Sequence, residues 1–391
     1  MRVAFLTEGG AADVERNSGA GHFMLRALQA AGLDAELVDV GWGRSSVVRT
    51  APRKLLHETL GRKTYIARRA RNRAEAYAAD ARRQLARGRY DAVLGLGSFP
   101  IALLDIEQPL LFWADATMPG LIGFYPRFSN LSRRTIRDSL SLEQQALDRV
   151  SLAIYSSDWA AQTALSSYRV ASGKVEVVPW GANLDQDPSR DRLRAALDGR
   201  SREIVRLVFL GTDWERKGGP TALGVVDELN RRGVPARLSI VGRSAEGLGA
   251  LSDHVEVVGN VSKSGGVEPI AAALLDAHFL ILPTLADCSP HAIVEANACA
   301  VPCLTTTVGG IPTSVTDGVN GRLFSPDADV DDYCDVIAEI VSDRQGYEAL
   351  ALSARAEYER RLSWSRGAES VISLLESVVR RSPLTPRASE G

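Results

Sequence analysis

Short runs of β-branched and other apolar residues alternate with longer amphipathic stretches along almost the whole chain. The first half contains such runs at 2–7, 35–40, 91–97, 110–115, 152–157 and 174–179. After a polar stretch, the second half begins a new series at 204–211, 236–242, 255–260, 278–284 and 301–307. Strands that alternate with helices in this way are typical of parallel sheets covered on both faces. The pattern therefore predicts an α/β protein with two doubly wound domains in series.

The polar stretch at 179–203 predicts the linker, so the domains are expected to cover 1–180 and 181–363. "WSRGAESVISLLESVVRR" (364–381) predicts a helix with one apolar face that packs back on the N-terminal domain. The last residues, 382–391, predict a disordered tail. Because ligands in open α/β sheets bind beyond the carboxyl ends of the strands, a cleft between the domains is the expected site.

Composition and charge exclude several classes of protein. Apolar residues make up 45% of the 391 residues and charged residues 24%, which suits a globular protein with two full-sized cores. The net charge of −2 gives no overall attraction to nucleic acid, so no nucleic-acid partner is expected. We find neither an apolar run of membrane-spanning length nor a signal peptide, which predicts a cytoplasmic protein. The four cysteines lack the paired spacing of a zinc site and are expected to be reduced core residues.

A strongly basic stretch lies between Arg44 and Arg89. It holds 14 Lys or Arg residues and only three acidic residues, mostly in helix-forming sequence. A solvated helical face is one interpretation. The alternative is a docking surface for anionic lipid or for an anionic acceptor, with the protein held peripherally at the inner face of the membrane.

The segment "FLGTDWERKGG" (209–219) joins a strand end to two cations and two glycines. Arg216 and Lys217 follow the carboxyl end of the strand, and the glycines beside them permit close backbone approach. Cations in this arrangement suit a diphosphate, and Gly211 and Thr212 at the strand end become candidate nucleotide contacts. An exposed charged turn is the competing interpretation.

The segment "DCSPHAIVEANA" (287–298) predicts a buried helix whose beginning can bind an anion. Ser289 is the predicted N-cap and Pro290 the predicted first helical residue. The unpaired N–H groups of this first turn, with those of His291 and Ala292, and the positive end of the helix dipole suit a phosphate group.

Two carboxylates flank this helix start. Asp287 lies in the loop ahead of the helix, and Glu295 follows eight residues later among apolar neighbours. Because a buried carboxylate without a partner is costly, Glu295 is expected to bind something specific. A sugar nucleotide would suit the pair, since it carries hydroxyl donors at both ends and phosphates between them.

Together these segments resemble the retaining GT-B glycosyltransferases of the "glycosyl transferases group 1" family, which includes sucrose synthase and bacterial phosphatidylinositol mannosyltransferases. The family carries an acidic residue, seven others and then a glutamate, which is the spacing of Asp287 and Glu295. The Lys217–Gly218 turn also matches, as do "GGIP…DGVNG" (309–321) and "VVPWGAN" (177–183). The resemblance covers 204–325 and implies two Rossmann-like domains that face each other across a cleft.

The resemblance also implies roles for single residues in the second domain. Glu295 would hold the ribose hydroxyls of a nucleotide, and Asp287 would contact a hydroxyl of the donor sugar. Lys217, with Arg216, would neutralise the diphosphate. A structural ion pair between Glu295 and an arginine is the alternative for that residue. Thr212 stands where the family usually has an arginine.

Further candidates come from the first domain. "NSGAGHFMLRAL" (17–28) resembles the family's glycine-rich loop, so Gly19 and Gly21 are expected near the phosphates and His22 near donor or acceptor. Asp115 follows the fourth strand, where many members have a histidine, and it is the candidate for a polar contact with donor or acceptor hydroxyls. Thr313 replaces the glutamate that commonly follows "GGxP".

The implied reaction is transfer of a hexosyl group from a nucleoside-diphosphate sugar to an acceptor hydroxyl, with retention of configuration. No metal and no cofactor are expected, because protein cations would neutralise the leaving group. The acceptor would be a sugar, a lipid-linked molecule or another small molecule. Two alternatives remain open: an enzyme resembling the UDP-sugar 2-epimerases, which share the two-domain plan, and a non-catalytic protein that binds sugar nucleotides.

Overall fold

The computed structural model describes residues 1–11, 13–14, 16–41, 63–261 and 268–382. Its strands lie in the order β1 (Arg2–Thr7), β2 (Asp34–Asp39), β3 (Ala92–Leu96), β4 (Leu110–Ala114), β5 (Leu152–Tyr155), β6 (Val175–Val177), β7 (Val205–Leu210), β8 (Ala236–Val241), β9 (Val255–Gly259), β10 (Phe279–Leu282), β11 (Cys303–Thr306) and β12 (Gly321–Phe324). The strands predicted from the sequence are therefore all present. β12 was not predicted.

The α-helices of the described residues follow the strands along the chain. They are α1 (Ala20–Ala30), α2 (Arg71–Leu85), α3 (Met118–Leu121), α4 (Arg133–Arg149), α5 (Asp158–Ser167), α6 (Arg190–Gly199), α7 (Gly219–Arg231), α8 (Glu268–Asp276), α9 (His291–Ala298), α10 (Ile311–Ser314), α11 (Val330–Ser342), α12 (Arg344–Glu357) and α13 (Trp364–Arg381). A π-helical turn, Tyr358–Leu362, follows α12. α13 has the range that the apolar pattern predicts, whereas the predicted linker contains a helix, α6. Residues 383–391 of the predicted tail lie outside the described residues.

The chain divides into two units, one formed by 1–178 with 367–391 and the other by 179–366. In the described residues each unit holds a six-stranded sheet, with the orders β2-β1-β3-β4-β5-β6 and β12-β11-β10-β7-β8-β9. All of the strand pairs are parallel, including β1 with β3 and β7 with β10. The predicted fold class, two doubly wound α/β domains, is confirmed.

The central strands of each sheet are buried because they carry apolar residues on both faces. In the first unit "LLFWA" (110–114) is buried throughout, and in the second "FLIL" (279–282) is fully buried. Helices with one apolar face cover both sides, as parallel sheets require. Among the described residues, no helix combines the length and the apolar character that crossing a bilayer would need.

The strand order of the second unit determines where a ligand can bind. The order reverses between β7 and β10, which are neighbours in the sheet although β8 and β9 come between them in sequence. At such a switch point the loops after the two strands diverge to opposite faces and leave a crevice at the carboxyl edge. The loops that meet here begin at Gly211 and Pro283, and both carry predicted site residues.

Candidate functional site

The loops after β7 and β10 are joined through their backbones. Leu285 N–H donates to the Arg216 carbonyl at 2.8 Å, and the Thr284 hydroxyl donates to the same oxygen at 3.0 Å. Gly218, with φ of +80°, caps α7 so close to Pro283 that a Cβ there would overlap the Pro283 carbonyl. These contacts join two loops that are distant in sequence into one rim at the carboxyl edge of the sheet.

This rim brings the predicted cations and the predicted carboxylate together. Lys217 Nζ lies 2.6 Å from Asp287 Oδ2, and Arg216 Nη1 lies 3.5 Å from the same oxygen. Arg216 also pairs with the exposed Asp213 through Nε at 2.8 Å and donates to the Ala286 carbonyl at 2.6 Å. The three side chains form a nearly buried ion cluster in which Asp287 is 9% exposed.

Gly211 supports this cluster, and Thr212 lies beside it. The Lys217 stem packs over Gly211, where an added Cβ would lie 3.3 Å from Lys217 Cγ. Thr212 follows as an exposed residue at the end of the strand. The loop after β11 reaches the same place, because Gly310 N–H donates to the Asp287 carbonyl at 3.1 Å.

The start of α9 differs from the prediction. Pro290 is the N-cap in an extended conformation and His291 is the first helical residue, so Ser289 is not the cap. The Ser289 hydroxyl instead donates backward to the Cys288 carbonyl at 2.8 Å. A proline cap offers no side-chain acceptor, so Pro290 contributes only its carbonyl, which accepts from Ile293 N–H at 3.1 Å. The first turn itself begins with His291 and Ala292.

The imidazole of His291 contacts the segment that enters the second unit. Its Nδ1 lies 3.0 Å from the Gly181 carbonyl, and since a carbonyl only accepts, Nδ1 carries the proton. The ring stacks on Trp180, with centroids 5.8 Å apart. The side chain of His291, a residue predicted to contact the nucleotide, therefore helps to hold the start of α9 against Trp180 and Gly181.

Glu295 lies on α9 and is only 2% exposed. Its charge acts on the last turn of that helix: burial, and next the Glu295 carboxylate, raise the pKa of the Cys299 thiol to about 12. The far end of α9 is held by cations, as Arg200 donates to the carbonyls of Cys299 and Ala300 and Arg355 donates to that of Ala298 at 2.5 Å. The contact between Glu295 and a ribose stays a prediction.

Thr313, which replaces the family's glutamate, forms a hydrogen bond through its backbone carbonyl. Its carbonyl accepts from the Arg361 guanidinium, and Arg361 in turn pairs with the buried Glu357. Arginine side chains at Arg360 and Arg361 lower the pKa of Glu357, with the hydrogen bond from Arg360 as the largest cause. Arg361 therefore helps to fix α10, which follows Gly309 and Gly310, a role that sequence inspection missed.

In the first unit the glycines after β1 serve backbone packing. Gly19 has φ of +83° and begins α1, and a Cβ there would come 2.9 Å from the Val14 carbonyl oxygen. Gly21 faces the end of β3, where a Cβ would lie 3.1 Å from Leu96 Cδ2. His22 meets Phe23 edge to face at 5.3 Å and does not cap the helix.

Asp115 is exposed directly after β4, and the loop that follows it is fixed by a residue that the sequence analysis missed. Glu143 of α4 is buried and accepts from Met118 N–H at 2.6 Å, the Tyr168 hydroxyl at 2.6 Å and the Ser98 hydroxyl at 3.0 Å. Burial raises the pKa of this carboxyl. An acid within the apolar stripe of α4 was the signal that could have revealed it.

The basic stretch is only partly described, since 42–62 lie outside the described residues. Lys63, at its described edge, lines a cavity of about 840 Å³ together with arginines at the start of α4: Arg133, Arg134 and Arg137. Arg134 and Arg137 both pair with the buried Asp138. Membrane association of 44–89 stays a prediction.

Residues 205–343 match the family described as glycosyl transferases group 1. The second unit therefore contains the region that is similar to glycosyl transferases group 1. This confirms the resemblance inferred from the sequence. Within that region lie the Arg216–Lys217–Asp287 cluster and Glu295.

Curated relatives that are similar to this chain include D-inositol 3-phosphate glycosyltransferases. Those of Mycobacterium marinum and Mycolicibacterium smegmatis are 27% and 29% identical over 242 and 253 residues, or 59% of this chain. The chain spans about half the length of these relatives, 51% and 54%.

Solved structures show the fold of the whole chain. Sucrose-phosphate synthase from Thermosynechococcus elongatus has a TM-score of 0.67 at 16% identity and covers 97% of this chain and 99% of its own. Anabaena HepE, solved with UDP and glucose, has a TM-score of 0.62 at 15% identity, with coverage of 96% and 100%. The architecture is GT-B.

Proposed function

We propose that the chain is a retaining glycosyltransferase that moves a hexosyl group from a nucleoside-diphosphate sugar to an acceptor hydroxyl. The observation that carries the proposal is the convergence of Arg216 and Lys217 on Asp287 at the switch point of the region that is similar to group 1. A cationic pair at the carboxyl edge of a doubly wound sheet is suited to a diphosphate. The complex of HepE with UDP and glucose supports the same ligand class.

The cations would act mainly on the leaving group. As the bond from the anomeric carbon to the phosphate oxygen breaks, negative charge grows on the diphosphate, and Lys217 and Arg216 would stabilise that charge. Both side chains are mostly buried, 13% and 17% exposed, so water screens them weakly. The acceptor hydroxyl would attack from the face that the diphosphate leaves and pass its proton to the departing phosphate. We expect no need for a metal ion.

Glu295 would bind the ribose, and the start of α9 would face the phosphates. A carboxylate accepts two hydroxyl donors well, and its position on a buried helix fixes its direction. Asp115, Gly19, Gly21 and His22 remain candidates for donor or acceptor contacts in the first unit. The acceptor is a sugar, a lipid-linked molecule or another small molecule.

A donor screen tests the proposal. Thermal unfolding is measured with UDP-, GDP-, ADP- and dTDP-sugars, since a bound donor raises the apparent stability in proportion to its affinity. The donor found is then incubated with acceptors, and the anomeric configuration of the product is read by NMR. Inversion of configuration or abolition of activity by EDTA would contradict the corresponding part of the proposal.

Two variants separate the roles of the site residues. Lys217→Ala should lower kcat by about 100-fold or more, because one charge-stabilising donor is lost. Glu295→Ala should lose nucleotide affinity. Arg322→Ala is the matched control, since this cation of β12 is paired only at 3.7 Å with the exposed Asp317. Normal kinetics in Lys217→Ala and Glu295→Ala would refute the assignment.

A further inference from the structure

The cations assigned to the diphosphate already share one carboxylate. Asp287 Oδ2 forms an ion pair with Lys217 Nζ at 2.6 Å and with Arg216 Nη1 at 3.5 Å. The carboxylate is 9% exposed and Lys217 is 13% exposed, so this is an interior contact and not a surface ion pair. Water therefore screens the attraction between these charges less than it screens an exposed pair.

The geometry of this contact is fixed by backbone. The Asp287 carbonyl accepts from Gly310 N–H at 3.1 Å, which anchors the residue from the side of the β11 loop. The Lys217 stem lies against Gly211, and its own N–H donates to the Asp213 carbonyl at 3.0 Å. The backbones of both residues are therefore fixed with their side chains in contact, so a diphosphate must share the cations with Asp287 or displace its carboxylate.

We propose that Asp287 is the built-in counter-ion of Lys217 and Arg216 and that it weakens their affinity for a diphosphate. This inference rests on the proposed function, and it gives Asp287 a role different from the sugar-hydroxyl contact that the family resemblance implies. A fixed negative charge beside the leaving group opposes the fully charged product more than the less charged donor. The carboxylate thereby favours release of the nucleoside diphosphate after transfer.

The two roles predict opposite signs for one substitution. Asp287→Asn keeps the size of the side chain and removes its charge. If Asp287 is a counter-ion, the variant binds a diphosphate more tightly, because the carboxylate that competes with the ligand for Lys217 and Arg216 is then neutral. If Asp287 only accepts a hydroxyl of the sugar, the affinity for a diphosphate without a sugar stays unchanged and only donor binding weakens.

The experiment measures binding of inorganic pyrophosphate, UDP, GDP and ADP by calorimetry, at low and at moderate salt. Asp287→Asn should bind pyrophosphate at least tenfold more tightly than the native chain, with a steeper loss of affinity as salt rises. Asp287→Glu restores the charge and should return the affinity toward the native value. Asp213→Asn is the matched control: this carboxylate pairs with Arg216 but is 49% exposed, so its removal should change the affinity by less than twofold.

The melting temperature, with and without pyrophosphate, is a second measurement that remains informative if Asp287→Asn is less stable. Removing the counter-ion takes from the mostly buried Lys217 the carboxylate that it pairs with, while Arg216 keeps Asp213. The melting temperature should therefore fall, and pyrophosphate should raise it by more than in the native chain. Unchanged or weaker pyrophosphate binding by Asp287→Asn would overturn the inference, as would absence of binding to both proteins. Tighter pyrophosphate binding with no binding of any nucleotide would uphold the counter-ion and refute the proposed function.

Discussion

At the scale of single residues, His278 shows how a titratable group can be built into the core as a neutral side chain. Its Nδ1 accepts from Arg206 N–H at 3.0 Å, and its Nε2 lies 2.9 Å from the Ser201 carbonyl. Nε2 must carry the proton, because that carbonyl can only accept. A second proton on Nδ1 would point at the Arg206 N–H, so the neutral form fits and the charged form does not.

This arrangement predicts a pH-dependent stability. Burial lowers the pKa of His278 to about 4, below the ordinary value of 6.5 that an unfolded chain would have. Between these two pH values His278 binds a second proton in the unfolded chain but not in the folded chain. The contribution of neutral His278 to the free energy of unfolding is therefore fully present above pH 6.5 and is lost as the pH drops toward 4. The shift corresponds to a loss of about 3 kcal/mol. Urea unfolding of the second unit from pH 7 to pH 4.5 measures it.

His278→Asn is the informative variant, because its amide can still accept from Arg206 and donate to Ser201. The variant should be less stable at pH 7 and should lose less stability on acidification. An equal slope in both proteins between pH 6.5 and 5 would show that other groups cause the acid sensitivity.

At the scale of elements, the site depends on how closely the turn before α7 approaches the loop after β10. Gly218 makes this approach possible through a positive φ and the lack of a Cβ beside Pro283. Gly233, after α7, has nearly the same φ of +79°, but nothing lies within 4 Å of a Cβ placed there. Alanine substitutions at the two glycines can therefore distinguish the cost of backbone strain from the cost of losing the close contact.

Gly218→Ala should cost more stability than Gly233→Ala. The control suffers only the strain of a left-handed alanine, about 1 kcal/mol, whereas Gly218→Ala must also push the two loops apart. We expect a loss of several kcal/mol and a large drop in diphosphate binding. Chemical denaturation and pyrophosphate calorimetry measure both effects, and equal losses in the two variants would contradict the docking role of Gly218.

α4 of the first unit stabilises the loops after β3 and β4 through Glu143. Glu143→Ala would leave the Met118 N–H, Ser98 and Tyr168 donors without their acceptor, at a cost of about 1–3 kcal/mol or more. Asp148→Ala, on the same helix, removes an exposed carboxylate that bonds Gln144 at 2.8 Å and should be nearly neutral. Comparable stability of the two variants in urea would show that the buried network is not needed.

At the scale of the whole molecule, periodicity was sufficient to predict both sheets, because fully buried strands such as "LLFWA" and "FLIL" are apolar without interruption. β12 was missed because "GRLF" is short and carries Arg322 in a glycine-rich turn. α6 was missed because its surroundings are polar. Its N-cap Ser189 was readable in the sequence, but only Leu193 and Leu197 are buried.

The sequence predicted which residues belong to the candidate site, but it did not predict which of them contact one another. Charged residues beside glycines after strands indicated Lys217, Arg216 and Asp287, yet their contact depends on β7 lying next to β10, which local sequence does not specify. The N-cap was wrong because Ser289 bonds to its neighbour's carbonyl, a choice between two local hydrogen bonds of similar strength. Glu143 escaped notice because its donors come from three distant segments.

The second unit is an insertion into the first, since the chain enters it after Val178 and leaves it before Gly367. Its two ends are tied together: Trp364 Nε1 donates to Asn183 Oδ1 at 2.9 Å, and the Tyr358 hydroxyl donates to Asp187 at 2.7 Å. An inserted unit whose entry and exit segments are held together is joined to the rest of the chain by two neighbouring connections. We therefore expect that it can be exchanged for a homologous unit with two splices. If the second unit binds the donor as proposed, such an exchange should change the donor that the protein uses.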